Sequence, residues 1–170
     1  MKFNFINFAG ALILILMLLP NFIYALRFRD AQNQCTNQFV NAAEQVGRFS
    51  AMALMVLPLG VREFGFPSVE AMLIYVFGNG ALLLAYLVCW TFYFRQQSLG
   101  IAMALAALPT CIFLLSGLTL GHWLLAAAAI LFGAAHGYIT YQNNRDYQEM
   151  RLCPSFPNRL TSGLLPTSGS

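Results

Sequence analysis

Charge is scarce in this sequence: Asp, Glu, Lys and Arg make up 9% of its 170 residues, against roughly 25% in soluble domains. That scarcity excludes a water-soluble fold, because 59% of the residues are hydrophobic and the mean hydropathy is +0.65. The formal net charge of +3 does not suggest nucleic acid as a partner; in so apolar a chain what matters is the side of a bilayer on which Lys and Arg lie. Ligand-spaced cysteines are also missing. Cys35, Cys89, Cys111 and Cys153 show no CxxC pattern, two of them fall in apolar segments, and all four read as reduced structural thiols. No zinc signature, nucleophile elbow, P-loop or dinucleotide fingerprint occurs, so no metal and no motif-bound cofactor is expected. No internal repeat is visible to suggest two inverted halves.

What the chain does have is long apolar runs. About 20 apolar residues cross roughly 30 Å of hydrocarbon, and five runs of that order lie at 5–26, 39–61, 69–94, 99–120 and 122–142. The first is too long for a secretory signal, is led only by Lys2, and is followed directly by Arg27 and Arg29, so it is expected to stay as a helix. The second reaches spanning length only by including Asn41, Glu44, Gln45 and Arg48. The positive-inside rule decides in its favour. With five spans and the amino terminus outside, Arg27, Arg29, Arg48, Arg95, Arg145, Arg151 and Arg159 are cytoplasmic, and only Lys2 and Arg62 lie outside. Without the second span the split becomes four against five and the bias vanishes.

The expected fold is therefore all-α: a multi-pass bundle of five transmembrane helices in the cell membrane, with the carboxyl terminus cytoplasmic. The transmembrane domain covers 1–151, and a Pro, Ser, Gly and Thr-rich stretch at 152–170 reads as a flexible cytoplasmic tail. Short connections predict that consecutive helices pack as antiparallel neighbours. Ser68 is a predicted N-cap after a Gly-Phe-Pro turn. Pro20 and Pro109 are predicted kinks whose freed carbonyls Asn21 and Thr110 can help satisfy.

Hydrocarbon penalises unpaired polar groups by several kcal/mol, so the polar residues inside spans carry the functional reading. Asn41, Glu44, Gln45 and Arg48 share one helical stripe, and Glu44 and Arg48 stand at i, i+4 in the favourable order for an ion pair. That stripe reads either as the polar wall of a site or as a pair that solvates itself at the interface while Arg48 snorkels. In the fifth run His122, Ala126, Ala129, Gly133, His136, Thr140 and Asn143 recur in alternating steps of four and three. Ala129, Gly133 and Gly137 make a small-residue series suited to close helix packing.

The histidines of that face, fourteen residues apart, lie about 21 Å apart along a helix. The spacing resembles that of diheme b-type cytochromes. With no partner helix bearing two more histidines, the resemblance implies a two-fold homodimer if His122 and His136 are to ligate haem. In the third run Gly78-Asn79-Gly80 suggests an unwound backbone near mid-membrane where Asn79 could bind a ligand, or else an ordinary interhelical hydrogen bond.

By depth, Asn21, Glu44, Gln45, Arg48, His136, Thr140 and Asn143 all fall in the cytoplasmic half, and the outer half looks almost purely apolar. This asymmetry predicts a polar cavity facing the cytoplasm, built by the first, second and fifth helices and closed outward by aliphatic packing. The segments Leu19-Pro20-Asn21-Phe22-Ile23-Tyr24-Ala25-Leu26 and Glu44-Gln45-Val46-Gly47-Arg48-Phe49 resemble a group of small bacterial multi-pass membrane proteins with no assigned activity. That resemblance implies that Asn21, Glu44 and Arg48 form one cluster.

Three functions compete. A small transporter or ligand-binding bundle would use the cavity, with Glu44 as its titratable group. An accessory subunit would dock a membrane-protein partner, or a second copy of itself, through the fifth helix. An enzyme or redox protein would need either the dimeric haem or an acid–base pair of Glu44 and His136 acting on a lipid head group.

Overall fold

The computed structural model describes residues 7–27, 37–57, 59, 66–96 and 98–152, with the side chains of 145–152 outside the description. Five helices follow in order: α1 (Phe8–Arg27), α2 (Gln38–Val56), α3 (Val69–Arg95), α4 (Leu99–Thr119) and α5 (Trp123–Leu152). There is no strand among the described residues. The tail proposed from residue 152 onward lies outside them apart from Leu152, the last residue of α5.

Every helix begins on a polar side chain. Asn7 Oδ1 accepts from the Gly10 N–H at 3.0 Å, and Asn37 Oδ1 accepts from Phe39 and Val40. Ser68 accepts from Ala71, Ser98 from Ile101 and His122 Nδ1 from Leu125. Such caps satisfy N–H groups that a helix cannot pair internally. The α4–α5 connection is equally tight: Gly121 takes φ 63, the His122 N–H reaches Gly117 O at 2.7 Å, and the Gly121 N–H reaches Leu118 O at 3.2 Å. A left-handed glycine closing the last carbonyls of a helix in this way turns the chain back on itself.

Among the described residues four helices are long and apolar enough to cross a membrane: Phe8–Arg27, Val69–Arg95, Leu99–Thr119 and the Trp123–Asn144 part of α5. The second expected run is shorter than 39–61. Helix α2 stops at Val56 because Leu57 is extended, with φ −108 and ψ 141, the conformation imposed on a residue that precedes proline, here Pro58. The polar side chains of its first half keep α2 out of the apolar set.

Neighbour relations close a ring in the order α1, α2, α5, α4, α3 and back to α1. The expectation that all consecutive helices pack together holds for three pairs, but α2 and α3 are not packed along each other. Instead α5 lies between α2 and α4. Its contacts need bare backbone: a Cβ on Gly47 would stand 2.7 Å from Phe132 N, and one on Gly117 would stand 2.8 Å from Ala126 N. Helix α1 packs most lightly, against α3 and α2. Its outer face leaves Phe8, Ile15, Phe22 and Leu26 exposed, as a lipid-facing helix would.

Both prolines sit inside continuous helices. Asn21 Nδ2 donates to Met17 O at 3.2 Å, and Thr110 Oγ1 donates to Ala106 O at 3.1 Å. These are the carbonyls four residues before the polar side chains themselves, not those of Leu16 and Leu105 that stand opposite the prolines.

Candidate ligand cavity and the Glu44 cluster

Helix α2 turns Glu44 inward, where it is 5% exposed. Its Oε1 accepts from an Arg48 guanidinium nitrogen one turn along α2 and meets His136 Nδ1 of α5 at 3.0 Å. The second contact depends on how closely the two helices approach. With no side chain at Gly47, the Phe132 backbone lies against α2, and His136, one turn on, reaches the carboxylate. The His136 ring stacks on Phe132 with centroids 4.9 Å apart and an interplanar angle of 19°, which fixes the imidazole plane. Since a carboxylate only accepts, His136 Nδ1 carries a proton toward Glu44.

A half-open pocket of about 480 Å³ lies among the helices, within the roughly 300–1,000 Å³ of typical small-molecule sites. All five helices line it: Met17, Asn21 and Phe22 from α1, Arg48 and Met52 from α2, Tyr86 from α3, Leu105, Pro109 and Phe113 from α4, and Phe132 and His136 from α5. Glu44 stands behind this lining, held by two residues that form part of it. Opposite, Asn21 Nδ2 donates to the Tyr86 hydroxyl at 2.7 Å, which leaves the Tyr86 O–H proton and Asn21 Oδ1 as a donor and an acceptor at the cavity wall.

The other residues expected at a site lie elsewhere. Gln45 is exposed on the far side of α2, and Thr140 and Asn143 are half-buried further along α5, outside the cavity lining. Helix α3 is unbroken through Gly78, Asn79 and Gly80, so the expected unwinding is absent. Asn79 is fully buried and donates to Ser116 Oγ at 3.1 Å. Continuity there is possible because Gly78 leaves room for the Leu115 side chain, which a Cβ would meet at 2.7 Å.

The half of the bundle at the Asn7 end is also less apolar than expected. Asn7, Tyr75, Asn79 and Ser116 are all fully buried there. Asn7 Nδ2 donates to the Tyr75 hydroxyl at 3.0 Å and to Met55 O at 3.3 Å, while the Asn7 N–H donates to Val56 O at 3.0 Å. One asparagine thus ties the start of α1 to the end of α2 and to α3. Hydrogen bonds as well as aliphatic packing close that end.

The fifth-helix face is filled from within the chain. Ala126 lies against Gly117, a Cβ on Gly133 would strike Thr110 Cγ2 at 2.3 Å, and Ala129 is fully buried; only Gly137 has open space where a Cβ would point. This packing does not favour the dimeric haem arrangement. His122 is not in the helix but caps it, fully buried with Nδ1 occupied by the Leu125 N–H, and α4 covers the face on which a second copy would have to bring its histidines. Among the described residues no group of three or more His, Cys, Asp and Glu could hold a metal ion. Cys89 and Cys111 are free thiols, and Cys35 and Cys153 lie outside the described residues.

Sequence reasoning missed Gly47, Tyr86 and the apolar lining from α4. Gly47 lies between Glu44 and Arg48, and a glycine within a polar stripe is a signal for close backbone approach. Nothing local marks Tyr86 or Phe113 as cavity residues. Comparison of the chain with protein-family models, curated proteins and solved structures finds no match, so the functional reading rests on this geometry.

Proposed function

We propose that this chain is a multi-pass protein of the cell membrane, with five spans and its amino terminus outside, and that it binds or carries a small molecule in the cavity beside Glu44 and Arg48. The seven-to-two division of basic residues supports the topology. Because polar residues near its start lower the hydropathy of α2, that helix spans as an inward-turned member of the ring, with Arg48 in the cytoplasmic half.

The observation that carries the reading is the cavity itself. Residues from all five helices line it, and a buried carboxylate with two nitrogen partners stands behind its wall. Charge inside a membrane is costly and marks sites of binding or transport. The docking alternative has less to support it, because α4 occupies most of the small-residue face of α5.

The test is native mass spectrometry of the protein extracted with its surrounding membrane. The wild-type chain is expected to release one small molecule per protein, and Leu105→Trp, which fills the cavity, is expected to release none. Equal release from both, or none from either, contradicts the reading.

A further inference from the structure

We infer that the ligand of this cavity is a single-chain amphiphile with one negative charge, a medium-chain carboxylate being the simplest example, its head at Arg48 and His136 and its tail along Met17, Leu105 and Phe113. This inference rests on the proposed binding role and adds the chemical class of the ligand.

Three features of the cavity lead there. The first is the order in which the charged groups stand. Arg48 and His136 belong to the lining, and Glu44 does not; the Arg48 side chain is 43% exposed, against 6% for that of Glu44. The cluster therefore shows its basic side to the cavity and keeps its acid behind. An anionic head would meet guanidinium donors that Glu44 leaves free, since a guanidinium carries five N–H groups and suits carboxylates in a bidentate fork. A cationic head would meet a cation.

The second is the charge the cluster can balance. Glu44, Arg48 and His136 sum to zero with a neutral imidazole and to plus one with a protonated one. The cluster therefore offers at most one net positive charge, which favours a carboxylate over a phosphate monoester carrying about −1.5 to −2 at neutral pH. Among the described residues no further ionised group lines the cavity: the polar lining is Asn21 from α1 and Tyr86 from α3, and the α4 lining is Leu105, Pro109 and Phe113.

The third is the rest of the wall. Apart from the cluster, Asn21 and Tyr86, the lining is Met, Leu, Phe, Ala and Pro, which rewards an apolar tail and penalises a sugar or a peptide whose many polar groups would go unpaired. Methionines suit a flexible chain because they adapt their shape. A volume of about 480 Å³ accepts one chain of medium length and is too small for the two acyl chains of a phospholipid. Asn21 Oδ1 and the Tyr86 hydroxyl, across from Arg48, can meet a second polar atom close to the head.

The experiment is equilibrium binding of radiolabelled decanoate, decanol, decyl phosphate and decyltrimethylammonium to the full chain in lipid nanodiscs, with empty nanodiscs as background. Wild-type protein is expected to bind decanoate saturably at one per chain and at least tenfold more tightly than each of the other three. Arg48→Gln should weaken decanoate at least tenfold and decanol less than threefold. Leu105→Trp, which leaves every charge in place, should abolish binding of all four. If decanol or the ammonium probe binds as tightly as decanoate, the anionic class is wrong while the cavity remains a binding site. Tighter binding of decyl phosphate overturns the single-charge argument. Saturable binding of none of the four overturns this inference together with the reading on which it rests. The comparison of probes on wild-type protein stands even if Arg48→Gln fails to fold.

Discussion

Two nitrogen donors converge on one oxygen of Glu44, and both lose their acceptor if the carboxylate is removed. Removing one partner of a buried, hydrogen-bonded charge pair costs about 3–5 kcal/mol, and the partial exposure of Arg48, 43% at its side chain, lowers that because water can take over its solvation. Glu44→Ala is therefore expected to destabilise the protein by about 1–3 kcal/mol, the usual penalty for stranding buried donors. Gln45→Ala, one residue along on the exposed side of α2, should stay within about 0.5 kcal/mol. Denaturant or thermal unfolding in one detergent compares the two; equal effects would mean that Glu44 does not hold the cluster together. The i, i+4 pairing of Glu44 and Arg48 was legible from spacing alone. That His136 shares a cavity with Glu44 was legible too, but their contact was not, because neither depth nor helical face says how closely α2 and α5 approach at Gly47.

At the scale of helices, the outcome turns on where backbone meets backbone. Gly47 admits the Phe132 backbone, and Gly133 admits Thr110, so side chains at these positions force neighbouring helices apart. Gly47→Ala is expected to cost about 1–3 kcal/mol through overpacking and to loosen the Glu44–His136 contact. Gly80→Ala, with nothing within 4 Å of its Cβ, should be neutral or stabilising by up to about 1 kcal/mol, since alanine favours helix over glycine. Gly133→Leu should disrupt the fold of the single chain, whereas Gly137→Ala, pointing into open space, should leave it intact. Thermal stability and size-exclusion profiles test the four variants together. If Gly133→Leu keeps a folded monomer and loses only a partner, the face belongs to docking after all.

The starts of all five helices could be placed from apolar run length, each lying within three residues of the expected one. The extent of α2 could not, because the apolar stretch continues past Val56 while Pro58 imposes an extended Leu57. Of the two readings of Asn79, the unwound backbone fails because Gly78 serves packing against Leu115 and the helix runs on, and the interhelical hydrogen bond is the one found, to Ser116.

The order of helices around the ring is a property of the whole molecule, and no local pattern carries it. The α2–α5 contact joins residues far apart in sequence, as in the Glu44–His136 pair. The Asn7 network was similarly hidden, since one polar residue at the head of an apolar run looks like a boundary until Tyr75 and the end of α2 are seen around it. These long-range pairs set the directions of the chain. The start of α1 lies beside the end of α2 through Asn7 and Val56, and the first half of α3 lies beside the last turn of α4 through Asn79 and Ser116. Helices α1 and α3 run the same way, linked at one end by Asn7 and Tyr75 and further along by Asn21 and Tyr86. If all five helices cross the bilayer, this alternation puts the two ends of the chain on opposite faces, with the cavity residues Asn21 and Arg48 toward the cytoplasm. The membrane-impermeant labelling of single cysteines placed at residues 2 and 165 of a cysteine-free chain in intact cells tests that account most directly. Labelling at residue 2 alone is predicted; labelling at both positions, or at neither, would put both ends on one face and contradict the five-span bundle and the placement of its cavity.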